Sequence, residues 1–298
     1  MLAQQGAGAA TGPSGENGAR HAVAASGGPP PAGSQAGRLE ATQVRAMFDG
    51  IAGVYDLLNT AMTAGLHHRW RARAADLARV GPGSHVLDVA TGTGDLAIEL
   101  AGRVAPDGEV VGSDFAEGML ARARAKGAAR PATAASLRFE WGDALGLPYD
   151  DDAFDAATVG FGARNFADLG RGLEEMVRVV RPGGRVVVLE ITTPTRPPLS
   201  VFYVVWFDRI VPVLGRATQW VGRALALLRR SRRADASATD VTIADAYAYL
   251  PSSVKRFPAP AQLAAELERS GLGEIGYVLL AGGIVAIHAG TVSAGERR

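Results

Sequence analysis

Five short apolar runs recur through the middle of this 298-residue chain, at 85–90, 109–113, 137–141, 154–161 and 185–192. Segments with helical spacing lie between them, at about 95–104, 116–126 and 167–180. No other feature restricts the fold as much. A parallel pair of strands cannot be closed by a tight turn, so strands separated by helices run parallel, and the helical crossovers cover both faces of the sheet. The expected fold is α/β, a doubly wound, mostly parallel sheet. The turn "RPGGR" (181–185) is expected to stop the third helix and launch the fifth strand.

Ahead of the first strand, "LEATQVRAMFDGIAGVYDLLNTAMTAGLHHRWRARAADLARVG" carries apolar residues at helical spacing and predicts two helices. Beyond Pro194 the pattern changes. Residues 199–250 read as mostly helical, an insertion expected to cover one end of the sheet. "IGYVLLAGGIVAIHAG" reads as a closing hairpin around Gly282 and Gly283, with one antiparallel strand. The first 37 residues are mostly Ala, Gly, Pro, Ser and Gln. They hold too little apolar surface to offset the entropy of ordering, so a disordered tail is expected there, with 38–298 as the folded domain. A net charge of +1 gives no whole-chain case for nucleic acid, and the absence of cysteine removes thiolate metal sites and cysteine nucleophiles. No secretory signal is evident, and no apolar stretch reaches the roughly 18 residues of a spanning helix, so a cytoplasmic protein is expected.

"VLDVATGTGDLA", Val86 to Ala97, sets Gly92 and Gly94 between the first strand and the helix that follows it. Glycine there permits tight backbone geometry and close approach of a ligand, and the helix N-terminus adds free N–H groups. Such a turn serves a dinucleotide as readily as an S-adenosyl ligand. The acids discriminate between them. Asp88 stands four residues before Gly92, where a carboxylate repels pyrophosphate and suits an ammonium or sulfonium, directly or through water. Asp114 ends the second strand and can accept from two ribose hydroxyls. Asp143, in "EWGDALGLPY", follows the third strand and can accept from the exocyclic amine of adenine. Singly, each fits a solvated loop residue or a helix cap. At three successive strand ends, with no basic residue in the glycine turn, they describe a cationic nucleoside, S-adenosylmethionine. A nicotinamide-dependent dehydrogenase, disfavoured by Asp88, and a non-catalytic adenosyl-binding protein remain as readings from other classes.

"VLDVATGTGD", "GSDFAEGML", "GDALGLPYDDDAFDAATVGFGARN" and "VRVVRPGGRVVVLEITTP" resemble consecutive motifs of the class I S-adenosylmethionine-dependent methyltransferases, which have a Rossmann-like sheet. Together with "MFDGIAGVYDLLNTAMTAGLHHRW", "DAYAYLPSSVKRFP" and "GGIVAIHAG" they resemble, more narrowly, the menaquinone and ubiquinone biosynthesis C-methyltransferases, over residues 40–290. The resemblance implies cofactor contacts at Thr93, Asp114, the Asp143–Ala144 pair and Gly160, a position often serine in the family. With Asp88, Gly92 and Gly94 these form the expected donor site. The stretch 217–242 is longer than the family's usual connection, and Ala246 replaces a common serine. The implied activity is methyl transfer to a ring carbon of a demethylmenaquinol. A benzoquinol, or another small-molecule acceptor, is the alternative.

A ring carbon becomes nucleophilic when a neighbouring phenol loses its proton, so the enzyme must align, desolvate and stabilise a developing phenolate. No metal is required, and no His/Asp cluster with ligand spacing argues for one. Arg164 and Asn165 follow the fourth strand. Arg164 is the candidate to stabilise the phenolate or position a water acting as base, set against a structural ion pair. His67 is a second candidate, set against a surface or capping role for the adjacent His67 and His68. Tyr55, Tyr247 and Tyr249 are candidates for the quinol pocket, set against core packing. Over 220–233, "WVGRALALLRRSRR" puts Trp220, Ala224, Leu227 and Leu228 on one helical face, with four arginines toward the other. Such a basic amphipathic helix can lie on an anionic membrane. Contact with the inner face of the membrane is therefore expected through 217–233. The other expected partners are the polyprenyl quinol and a second copy of the chain.

Overall fold

The computed structural model describes residues 41–52, 55–130, 135–194, 197, 200 and 243–294. Three helices open the described chain: α1 (Ala41–Ile51), α2 (Tyr55–Thr63) and α3 (Leu66–Leu77). Two were expected. The continuous helical periodicity is broken by left-handed backbone at Ala64 (φ 48°) and Gly65 (φ 77°), which turns the chain between α2 and α3.

The alternation then follows: β1 (His85–Val89), α4 (Asp95–Val104), β2 (Glu109–Asp114), α5 (Glu117–Ala128), β3 (Ser136–Trp141), β4 (Phe154–Gly160), α6 (Leu169–Arg178) and β5 (Val180–Ile191). After 201–242, which lie outside the described residues with most of the expected insertion and the basic amphipathic segment, come α7 (Ile243–Arg256), α8 (Pro260–Arg269), β6 (Leu272–Leu280) and β7 (Val285–Val292). The strands form one sheet in the order β3-β2-β1-β4-β5-β7-β6. β1 to β5 pair in parallel, and β7 runs antiparallel to both β5 and β6, as the hairpin reading requires. The expected doubly wound sheet is therefore observed.

One boundary differs from expectation. Phe154 stands opposite Val180, and Ala156 opposite Arg185. Arg181–Gly184 thus bulge out of β5 rather than preceding it, with Gly183 at φ 80° turning the bulge.

The period-two alternation of the strands divides the core. Val86, Val110, Ala156 and Val187 pack with Ala74 and Ala75 of α3, Leu100 of α4 and Leu120 of α5 on one face. Leu87, Val111, Ala157 and Val186 pack with Leu173 and Met176 of α6 and Leu263 and Leu267 of α8 on the other. Strands buried on both faces read as apolar runs, and this is why they were legible.

Consecutive strands build outward from β1 in one direction, and from β4 in the other. The sheet order therefore reverses between β1 and β4, where open α/β sheets bind ligands beyond the carboxyl ends of their strands. The loop after β3, which forms one wall of that region, is fastened from α6. The buried Glu175 accepts from the Leu147 N–H (2.9 Å), Arg171 (2.9 Å) and Arg178 (2.7 Å). Arg178 also donates to the Leu147 and Tyr149 carbonyls (2.9 and 2.8 Å). Glu175→Ala leaves these donors without their shared acceptor and should cost about 3 kcal/mol. Urea unfolding should show the lower midpoint with an unchanged slope.

Candidate functional site

A cleft opens at this switch point, and it gathers residues from five separate stretches of chain. Phe48, Tyr55 and Arg71 come from the N-terminal helices; Asp88 and Ala90 to Thr93 from β1 and its turn; Asp114 from the end of β2; Asp143 and Ala144 from the loop after β3; Gly160 and Asn165 from β4 and beyond.

Asp88 is fully buried. Its two carboxylate oxygens accept from the hydroxyls of Thr91 and Thr158, each at 2.6 Å. Burial pushes it up to about 6, against the pull of those hydroxyls. Asp114 is buried too. It accepts from the Gly92 N–H (2.8 Å) and the Ala116 N–H (2.9 Å). Burial also lifts its pKa to about 6, against the backbone N–H groups around it. Each carboxylate oxygen has a second lone pair for a ligand donor. Asp143 is exposed on the rim, where it accepts from the Leu145 N–H (3.0 Å).

The glycine turn is left-handed at both glycines, with φ 57° at Gly92 and 83° at Gly94. A Cβ on Gly92 would meet open space, whereas one on Gly94 would stand 2.8 Å from the Phe139 ring. The first position keeps the backbone open to a ligand, and the second lets the turn pack on the sheet. Ala90 (φ 50°) and Phe161 (φ 61°) also adopt left-handed backbone at the ends of β1 and β4. Side chains pay a steric penalty there, and such strain concentrates at functional sites.

Thr93 lines the cleft, but its hydroxyl is already bound. It donates to Asp56 (2.6 Å) and accepts from Lys126 (2.8 Å). Lys126 also pairs with Asp56 (2.8 Å) and Asp95 (2.6 Å), and Asp95 pairs with Arg71 at 3.2 Å. This network ties α2 and α3 to the glycine turn. Its members Asp56, Arg71 and Lys126 escaped sequence analysis because they lie far apart in the chain. The available signal was the i, i+4 spacing of His67 and Arg71 above the apolar face of α3.

His67 and Arg164 lie outside the residues that line the cleft. His67 is buried rather than on the surface. Its Nδ1 accepts from Arg71 at 2.5 Å and its Nε2 stands 3.2 Å from the Thr60 hydroxyl. Burial, and then Arg71, hold its pKa down at about 4. The Arg164 side chain is 8% exposed, paired with Glu190 at 2.7 Å and donating to the carbonyl of Phe161. It fixes the strained turn that presents Phe161 and Asn165 to the cleft. The buried Oδ1 of Asn165 has no partner. Gly160 lines the cleft, and a Cβ there would sit 3.1 Å from the end of Leu96. Tyr55 lines the cleft, the side chain of Tyr247 lies outside the described residues, and Tyr249 stacks under Arg256, whose Cζ is 5.7 Å from the ring centre. Among the described residues no group of three His, Cys, Asp or Glu side chains is placed to hold a metal ion.

Residues 37–225 and 238–292 match the ubiE/COQ5 methyltransferase family. The chain belongs to that family. The interruption at 226–237 falls inside the stretch expected to be longer than usual. The chain is 45% identical to the demethylmenaquinone methyltransferase of Thermus thermophilus, over 82% of this chain and 99% of that protein. It is 39% identical to the demethylmenaquinone methyltransferase of Desulfitobacterium hafniense, over 85% and 91%. The fold matches the methyltransferase in a complex with the Haloferax volcanii Trm112 activator, with TM-score 0.54 at 17% identity over 83% of this chain and 97% of that one.

As a family member the chain is an S-adenosylmethionine-dependent methyltransferase of Rossmann-like fold. The residues present suit that donor: Gly92 opens its backbone to the cleft, and acids stand at three strand ends.

The sign of the pH dependence follows from burial. Asp88 and Asp114 titrate near 6 when folded and near 3.9 when unfolded, so their contribution to stability falls as pH rises from about 4 to about 6. A cationic, hydroxyl-donating ligand needs them ionised. Affinity for S-adenosylhomocysteine should rise as pH passes through about 6, by up to about tenfold per unit for each acid below its pKa, with proton release. Calorimetry in buffers of different ionisation heat between pH 5 and 7.5 checks this, and a flat affinity would refute it.

Proposed function

We propose that this chain methylates a ring carbon of a demethylmenaquinol to give menaquinol, with S-adenosylmethionine as donor. The observation that carries the acceptor assignment is the 37–45% identity, over nearly the whole length of the relatives, to proteins named demethylmenaquinone methyltransferase. The benzoquinol alternative rests on a 37% identical relative from Geobacter sulfurreducens, named as a ubiquinone/menaquinone biosynthesis C-methyltransferase. When bound, the donor supplies an activated methyl group.

The chain's own residues do the rest. Asp88 and Asp114 receive the polar edge of the donor, with Asp143 and Ala144 at the adenine end and the glycine turn beneath. Phe48, Tyr55, Phe161 and Phe166 give the acceptor ring an apolar enclosure that excludes water. Asn165 holds an oxygen of the quinol or a water that takes its proton. Arg164 acts from behind the wall as a positioning residue, through the carbonyl of Phe161 and the Glu190 pair.

Transfer of radiolabelled methyl to a demethylmenaquinol extract should exceed transfer to a demethylated benzoquinol by tenfold or more, a difference of about 1.4 kcal/mol or more. The reverse preference moves the acceptor to the benzoquinol. Arg164→Ala should lower kcat by about 10²-fold with little change in donor affinity, and near-normal turnover removes its role. Because that variant also strands a buried Glu190, its thermal unfolding midpoint should fall.

Among the described residues no helix is long and apolar enough to cross a membrane. A polyprenyl quinol still requires access to lipid, and the 217–233 segment is the proposed contact. Deleting 217–240 should abolish co-sedimentation with anionic liposomes. Unchanged sedimentation refutes the segment's role.

A further inference from the structure

We infer that Arg71 is the anion-binding residue of the cleft, and that it receives the carboxylate of the methyl donor's amino-acid end. This rests on S-adenosylmethionine being the donor. The amino-acid end of that molecule is a zwitterion, so an ammonium and a carboxylate have to be placed within a few ångströms of each other. The cleft offers acids freely, with Asp88, Asp114 and Asp143 all on its wall, and each would repel a carboxylate. Among the described lining residues Arg71 is the one cation.

Its position fits the amino-acid end. Arg71 pairs at 3.2 Å with Asp95, the first residue of α4 after the glycine turn, and its guanidinium carbon stands 5.8 Å from the centre of the Phe161 ring beyond β4. Asp143 follows β3, separated from β4 by β2 and β1 in the sheet. The cation and the adenine-end acid therefore occupy opposite ends of the cleft, with Asp88 and Asp114 between them.

The guanidinium is also prepared for an anion. The side chain is 8% exposed, so it is held in place and poorly solvated. Both of its hydrogen-bonded contacts, His67 Nδ1 at 2.5 Å and Asp95 at 3.2 Å, use Nη1. Nε and Nη2, with three N–H groups between them, keep no protein partner among the described residues, and together they present the edge of the fork that matches a carboxylate. His67, kept neutral by burial, accepts from Arg71 without adding a competing positive charge. That gives His67 a positioning role one step removed from the ligand.

The test compares two ligands by calorimetry on the full chain: S-adenosylhomocysteine, and its decarboxylated analogue, which keeps the nucleoside, sulfur and amine. The wild-type protein should prefer the carboxylate-bearing ligand by about 30-fold, the effect of a charge-assisted pair near 2 kcal/mol. Arg71→Met should lose about 30-fold more affinity for S-adenosylhomocysteine than for the analogue, because any loosening of the Asp95 contact acts on both ligands and cancels from the comparison. Arg71→Lys, which keeps the charge and the Asp95 pair, should lose only part of the preference, and it carries the test if the Met variant does not fold. Equal losses for both ligands in Arg71→Lys overturn the assignment. So does unchanged donor binding with a raised KM for the quinol, which would give the cation to the acceptor. If the wild-type protein binds neither ligand, the donor reading itself falls, and this one with it.

Discussion

Two carboxylates buried on neighbouring strands at the carboxyl edge of the sheet set the terms for everything around them. A buried carboxylate is costly unless donors surround it. Here those donors are also the walls of the cleft. Thr158 reaches across from β4 to Asp88, Thr91 turns back from the end of β1, and the Gly92 N–H points at Asp114 from the next strand. The glycine turn is thus held by the acids, as well as by its own dihedral angles. The interactions that pay for burying the charge are those that shape the cleft.

The N-terminal helices complete the site. In the bare α/β scheme they are appendages, yet α2 and α3 supply Tyr55, Asp56 and Arg71 and lock onto the glycine turn through Asp56, Thr93, Lys126 and Asp95. A chain of alternating charges like this is stiff only while every member is present. The cleft therefore depends on residues that precede the sheet by 14 to 30 positions. Behind the opposite wall, Arg164 and Glu190 do comparable work, holding Phe161 in a left-handed conformation that its side chain disfavours.

Much of this architecture was legible because parallel strands buried on both faces must be apolar, and the crossovers between them must carry helical periodicity. The acids at the strand ends, the glycine turn and the Asp143–Ala144 pair could be placed by counting along the chain from those strands. Where reading failed, the cause was spatial. Periodicity predicts two helices where there are three, because a left-handed alanine and glycine leave no trace in the apolar pattern. The RPGG bulge read as a strand start because proline and glycine mark irregular backbone, whichever side of it the strand occupies. The burial of His67 under Arg71 is not legible in the sequence, which offers it as a catalytic candidate or a surface or capping residue, because that burial requires the packed helix.

By itself the sequence determined the doubly wound sheet, the acids and the glycine turn at its strand ends, and the family to which the chain belongs. These follow from periodicity and from motifs that are local in the chain. Only the tertiary structure decided which charges meet. It turned Arg164 from a cleft residue into a buried partner of Glu190, bound the Thr93 hydroxyl to Asp56 and Lys126, and brought Arg71 to the cleft as its cation. Ion pairing is governed by distance in space, and a sequence records only distance along the chain.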